Sequence, residues 1–429
     1  MSQTAALSTL PSQAEFFARC EADPELKLAH RHWTGGVRFD FVDGAIGYSV
    51  TDGAIRDEVP TAGPGVISLV GPAEMWASLA AATPAPFATI SVLSAMGEAG
   101  LDRASTDEVL FWQYLPAVER ASELLRAPGL SRNEARNEGS GSRRDSPVGG
   151  YVHVDLEMPD GQVIDHRIYY ETAGQGIPML LQHTAGAHSL QWRHLFEMPE
   201  ITDHFQLIAY DLPYHGKSIP PVDHRWWEEE YKLRGALLRQ IPLAVAHALG
   251  AENPVFMGCS VGGLLAIDLA YHHPAEFRAV ISLEGAIHVG GDHDSLIGMY
   301  HPQVSNQSKA RMMEALCAPM SPEAYVKEVS QVYSAGWPPA FLGDLFYYMV
   351  DFDLRDVAGD IDTSKVGVHI FNGDYDFSGH VSGGLKAHQA IEGSTHTVMA
   401  EMGHFPMQEN PVGFAEYLLP VLEEIKDDV

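Results

Sequence analysis

The sequence predicts an α/β protein, with a mostly parallel sheet under helices on both faces and a helical cap, preceded by a small α+β N-terminal domain. Three observations predict it. From residue 178 onward, short apolar runs rich in β-branched residues alternate with helical segments, as in parallel sheets buried on both faces. Residues 127–150 (APGLSRNEARNEGSGSRRDSPVGG) are rich in Gly, Ser, Pro and charge, lack apolar periodicity and read as a linker. At 429 residues, the chain also exceeds what one hydrophobic core usually organises. The expected division is therefore 1–126 as the N-terminal domain, 127–150 as linker, and 151–429 as the large domain with a cap at about 288–362.

In the N-terminal part, VRFDFVD alternates Val37, Phe39 and Phe41 with polar residues, and IGYSVTDGAI holds an Asp52-Gly53 turn between two extended runs. VISLVG (66–71) reads as a further strand. PAEMWASLAAA starts with Pro72 at a helix N-terminus and puts Met75, Trp76 and Leu79 on one face. A second helix, Thr106 to Arg126, carries Val109, Leu110, Leu115, Val118 and Leu125, with a kink expected at Pro116. Short strands followed by such a helix resemble the sterol-carrier-protein-2-like fold, which implies a lipid-like ligand. Packing on the large domain or self-association as a homodimer is the alternative role.

Beyond the linker, YVHVDLEM and QVIDHRIYYETA read as an antiparallel pair. PMLLQHT, FQLIAYDL, PVFMGCS, AVISLEG, VGVHIFNG and THTVMAEMG read as core strands, with helices at Tyr231 to Leu249 and Gly263 to His272 between them. Segment 288–362 interrupts this rhythm with helix formers, Met, Tyr and Trp, as a cap over a strand-end site would.

The composition narrows the function classes. Lys plus Arg is 27 against 57 Asp plus Glu, a formal charge of −30 that repels nucleic acid and anionic membranes, so neither is an expected partner. Three scattered cysteines make no disulfide framework or metal motif. No basic n-region precedes an apolar stretch at the N-terminus, and no run of eighteen apolar residues occurs, so a soluble cytoplasmic protein is expected.

The chemistry-bearing motif is Gly258-Cys259-Ser260-Val261-Gly262, between an apolar run and a helical segment. A serine on a sharp strand-to-helix turn needs small neighbours, because backbone approaches it closely; Gly258, Gly262 and Gly263 supply them. A serine hydroxyl also needs a base, usually a histidine held by a carboxylate. GDYDFSGH offers Asp374 and Asp376 after one strand, and MGHFPMQENP offers His404 after the last.

Over about residues 151–426, with DLPYHGKS (211–218) and GHFPMQENP (403–411), the chain resembles the α/β-hydrolase superfamily. The resemblance implies a Ser260, Asp376, His404 triad, since the acid commonly lies in a G-x-x-D pattern matching Gly373 to Asp376. Glu284, at the preceding strand end, is the runner-up acid. Acyl transfer requires two backbone N–H donors for the developing oxyanion. Val261 is expected to supply one; the other comes from a loop reading His183-Thr184-Ala185-Gly186, where Thr184 departs from the usual His-Gly, so that either the Thr184 or the Ala185 amide completes the hole, Ala185 being favoured by its position relative to His183. His183, His188 and Trp337 are the expected substrate contacts. Trp337, Phe341, Tyr347 and Met349 suggest an apolar or ring-containing substrate, or else form the cap's own core.

His288, His293 and His301 with Asp292 and Asp294 are the strongest metal candidates, yet form no helical ligand pair, so neither metal nor cofactor is expected. The expected reaction is hydrolysis of an ester or lactone of a hydrophobic small molecule through an acyl-enzyme. The alternatives are carbon–carbon bond hydrolysis of a diketone-type substrate and a ligand-binding receptor on the same scaffold.

Overall fold

The computed structural model describes residues 10–41, 44–90, 101–103, 107–136 and 145–427. Thr106, residues 137–144 of the expected linker and residues 1–9 of the N-terminus lie outside them. The chain forms two compact units, Met1–Asn133 with Gly298–Met320, and Glu134–Ile297 with Ser321–Val429.

The first unit is a four-stranded sheet, in the order β3-β2-β1-β4, with helices. Strands β1 (Gly35–Phe41) and β2 (Gly44–Thr51) pair antiparallel, as do β2 and β3 (Ala54–Arg56), whereas β4 (Val66–Val70) runs parallel to β1. The β2–β3 turn is the Asp52-Gly53 pair, with φ of 49° and 77°; two positive φ values match the twist of the flanking strands. Helix Ala73–Ala80 buries Met75, Trp76 and Leu79. Helix Glu108–Glu123 is capped by Asp107 and leaves helical geometry at Tyr114, two residues before Pro116, whose ring denies it a regular preceding turn.

Residues 298–320, expected in the cap, belong to this unit instead. The reason is polar and lies on helix Asn306–Glu314. Buried Arg311 pairs with Glu123 at 2.6 Å and with Glu314; the Ser308 hydroxyl donates to the Trp112 carbonyl, and Gln113 Nε2 donates to the Gln303 carbonyl at 3.1 Å. A charge on an interior helix face must be paired, and its partners include Glu123 on the helix Glu108–Glu123.

The second unit holds an eight-stranded sheet in the order β12-β11-β10-β9-β7-β8-β6-β5. Strands β5 (Val148–Glu157) and β6 (Val163–Ala173) form an antiparallel hairpin at one edge. Strands β7 (Ile177–Gln182), β8 (Phe205–Tyr210), β9 (Val255–Cys259), β10 (Ala279–Leu283), β11 (Gly367–Gly373) and β12 (Thr395–Met399) are mutually parallel. β9 and β10 are buried at every residue, which is why they read as unbroken apolar runs rather than alternating ones. The helix expected from Tyr231 begins only at Gly235, and Gln240–Leu249 then ends on left-handed Gly250. Between β10 and β11, helices Glu323–Ala335 and Pro338–Phe346 and a π-helical turn, Tyr347–Asp351, lie over the strand-end loops.

Candidate active site

Every expected site residue of the second unit lies at or beyond a strand's C-terminal end or in the segment between β10 and β11. Ser260 follows β9 directly and precedes helix Val261–His272; its backbone sits at φ 58°, ψ −112°, a strained conformation for a residue with a side chain. Its N–H donates to the Leu283 carbonyl at 2.9 Å, pinning the turn to β10. A Cβ at Gly258 would lie 2.3 Å from the Gly262 carbonyl oxygen, and one at Gly262 would lie 2.7 Å from the Gln182 side chain. The spacing of glycines around Ser260 is thus a steric requirement. Cys259 is buried, and its thiol donates to the His404 carbonyl at 3.2 Å.

His404 Nδ1 donates to Asp376 Oδ2 at 2.7 Å. The carboxylate also accepts the Ser378 N–H at 2.8 Å and the Gly379 N–H at 2.7 Å. Burial pushes the Asp376 carboxyl up, but the His404 charge and the bonds from His404, Glu284 and Ser378 outweigh it and hold it below the usual carboxylate range. Asp374 instead braces the loops. Its Oδ1 accepts the Met402 N–H at 3.4 Å, and its own N–H donates to the Met399 carbonyl, tying this loop to the one carrying His404.

Glu284 occupies a left-handed position at φ 54°, is fully buried, and accepts the Gly373 N–H with oxygens 2.9 and 3.0 Å away. Burial, then the charge of the neighbouring Asp376 and their mutual interaction, push its carboxyl well above the usual carboxylate range, opposite in direction to Asp376. The structure therefore gives His404 to Asp376, with Glu284 behind it.

The loop after β7 has its amides assigned. The Thr184 N–H donates to Gln191 Oε1 at 3.0 Å and the Gly186 N–H to Asp344 Oδ2 at 2.7 Å, so the Ala185 N–H lies between two committed donors. Val261 is the first residue of its helix, where an N–H has no intrahelical acceptor.

His183 braces this loop rather than making the expected substrate contact. It is fully buried, with Nε2 accepting the Leu212 N–H at 3.0 Å and Nδ1 donating to the Thr184 carbonyl at 2.8 Å, so neither ring nitrogen is left for a ligand. Burial and the adjacent His215 hold it neutral, at about 3. His188 and Trp337 do come together, lining a cavity of about 470 Å³ with Tyr214, Trp226, Lys217 and Glu171. Ser260, Asp376 and His404 are not among its lining residues. Trp337 stacks on Tyr214 at 5.9 Å and meets Trp226 edge-on at 5.5 Å. Tyr347 is core: it is buried, and its hydroxyl donates to Asp268 at 2.9 Å.

Two residues at the site have no sequence signal. Tyr348, from the π-helical turn, lies near Ser260 and places its hydroxyl 3.1 Å from that of Ser378. Asp344, on helix Pro338–Phe346, reaches the loop after β7. Of the metal candidates, His293 Nε2 donates to the Leu342 carbonyl at 3.0 Å, His288 lies 3.9 Å from Asp353, and His301 belongs to the first unit.

Residues 177–314 match a family model described as the alpha/beta hydrolase fold. A pimeloyl-[acyl-carrier protein] methyl ester esterase of Vibrio cholerae is 31% identical over 106 residues, 25% of this chain and 36% of that protein. The Vibrio vulnificus protein of the same name is 24% identical over 59% of this chain and 96% of its own length. Among solved structures, a thermophilic esterase from Thermogutta terrifontis superposes with a TM-score of 0.55 at 16% identity, covering 65% of this chain and 99% of that one. The family model does not reach the N-terminal residues, so the sterol-carrier-protein-2-like reading there gains nothing from it. Among the described residues, no helix is long and apolar enough to cross a membrane.

Proposed function

We propose that this chain is an α/β hydrolase that cleaves an ester or lactone bond of a hydrophobic small molecule through an acyl-enzyme formed on Ser260. The observation that carries the reading is the 2.7 Å bond from His404 to Asp376 beside a serine on a strained strand-to-helix turn. That bond puts the proton on Nδ1 and leaves Nε2 as the base. The esterase names of the relatives support an ester as the bond cleaved.

In this mechanism, Ser260 Oγ attacks the carbonyl carbon while its proton passes to His404 Nε2. Asp376 holds the imidazolium, and the N–H groups of Ala185 and Val261 donate to the oxyanion. Collapse breaks the bond to the leaving oxygen, which takes the proton from His404. Water, deprotonated by His404, then attacks the acyl carbon; the acid departs and the proton returns to Ser260. The aromatic cavity at Trp337 and His188 is suited to the substrate's apolar portion.

The test is intact-mass labelling with a fluorophosphonate, with p-nitrophenyl esters as substrates. The reading expects one adduct and an acylation burst in the wild type, and neither in Ser260→Ala or His404→Ala. A wild type without adduct or turnover, or an adduct retained in Ser260→Ala, overturns it.

A further inference from the structure

Asp344 makes a set of contacts that the reaction as drawn does not use. It sits at 0% exposure on helix Pro338–Phe346, between β10 and β11. Its Oδ2 accepts the Gly186 N–H at 2.7 Å and His215 Nε2–H at 2.8 Å, and its Oδ1 accepts the Tyr231 hydroxyl at 2.9 Å. His215 has Nδ1 at 2.9 Å from the Pro213 carbonyl. With a carbonyl facing one ring nitrogen and a carboxylate facing the other, both nitrogens must carry hydrogen, so His215 is an imidazolium. Asp344 and His215 are thus a buried ion pair, the form in which an interior charge persists.

The pair acts on one turn. The His215 ring lies 5.0 Å from that of His183 and helps keep the latter neutral; neutral His183 accepts the Leu212 N–H and holds the Thr184 carbonyl. Asp344 holds the Gly186 N–H directly, at a glycine with φ 66° where a Cβ would strike Phe341 at 2.7 Å. Ala185 therefore has its preceding carbonyl and its following amide both fixed by this network. Misplacing an oxyanion donor by a fraction of an ångström removes its advantage, because only preorganised dipoles act without reorganisation.

We infer that Asp344, with His215, is a positioning residue for the oxyanion loop: this acid, from the segment over the strand ends, sets the orientation of the Ala185 N–H. The inference rests on the proposed role of Ser260 and Ala185. It makes catalysis depend on an imidazolium. The groups facing His215 are Asp344, Tyr231, His183, His188 and Asp211. Burial alone would lower its titration, but the charge and hydrogen bond of Asp344 outweigh this and raise it above the ordinary 6.5. A group so raised is charged below 6.5 and loses its charge as pH rises through the higher value, so any loss of loop order falls on the alkaline side.

The experiment compares wild type, Asp344→Asn and Asp344→Ala in kcat and KM for p-nitrophenyl butyrate, inhibition by a trifluoromethyl ketone, and fluorophosphonate labelling. The ketone forms an oxyanion on the serine, so its Ki reports the hole, whereas a merely structural defect would not follow it. Asp344→Ala is expected to lose about 100-fold in kcat and in ketone affinity with KM within about threefold, the size of one lost oxyanion donor. Asp344→Asn keeps an acceptor for Gly186 but not the charge, and should lose about tenfold and move the alkaline limb of its pH profile. If Asp344→Ala does not fold, Asp344→Asn carries the test. A labelled wild type with Asp344→Asn unchanged in kcat, Ki and pH profile overturns this inference alone; an unlabelled wild type overturns the triad reading and this inference with it.

Discussion

Replacing Asp376 by asparagine changes one oxygen to an amide nitrogen in a fully buried position, and the surrounding donors leave that amide no good orientation. Oδ2 accepts from both His404 Nδ1 and the Gly379 N–H, and Oδ1 accepts from the Ser378 N–H. If the new NH2 faces His404, it opposes the Gly379 N–H and donates to Nδ1, which moves the ring proton to Nε2 and removes the base. If it turns the other way, it opposes the Ser378 N–H, and the imidazolium formed in the reaction has no counter-charge. The first arrangement leaves the buried Gly379 N–H unsatisfied, at about 1–3 kcal/mol of stability, and the second the half-buried Ser378 N–H, at the lower end of that range. The catalytic loss expected for a triad aspartate is about 10⁴-fold, or about 5.4 kcal/mol of barrier. The assay is kcat/KM for a p-nitrophenyl ester with thermal melting of the same samples, alongside Glu284→Gln. Glutamine keeps an acceptor for the Gly373 N–H and a donor for Asp376, so that variant should lose no more than about tenfold. A folded Asp376→Asn within about threefold of wild type, with Glu284→Gln inactive, would refute the reasoning and make Glu284 the acid.

Gly258→Ala places a methyl 2.3 Å from the Gly262 carbonyl oxygen, displacing the first turn of the helix that presents Val261; a loss of at least about 100-fold in kcat is expected, and an active variant would count against the steric account. Arg311→Ala removes the buried cation that joins Glu123 and Glu314 and should destabilise the first unit by about 3–5 kcal/mol, read from denaturant unfolding; a change under about 1 kcal/mol would remove the argument for why residues 298–320 belong there. Glu123 itself is pushed up by burial, yet Arg311, Arg126 and Arg120 bring it down to about 2 from 4.5. Its stabilisation is accordingly complete above pH 4.5 and lost as pH falls toward 2, and melting scans across that window should show a smaller acid loss in Arg311→Ala than in wild type.

The sequence by itself determined the layered α/β architecture, because strands buried on both faces must be apolar throughout and the helices covering them must be amphipathic. It also singled out Ser260 and His404, since a serine elbow imposes small residues at fixed offsets, and Gly258, Gly262 and Gly263 stand where a Cβ would meet backbone or a neighbouring side chain. The Asp52-Gly53 hairpin was legible for the same reason, a local backbone demand that few residues meet. Pairings between distant segments left no such trace. Asp376 and Glu284 are two carboxylates at neighbouring strand ends; the G-x-x-D pattern favours the first only by resemblance, and it is the 2.7 Å approach of His404 that pairs the ring with Asp376. His183 and His188 are five residues apart in one loop; the fold encloses the first among backbone partners and puts the second on a cavity wall. Asp344, Tyr348 and Arg311 lie among ordinary helix-forming residues, and their roles come from what the chain brings against them, at separations of 158, 88 and 188 residues from Gly186, Ser260 and Glu123. Local steric rules are written in neighbouring residues, whereas a buried charge is satisfied by whatever the packed chain supplies.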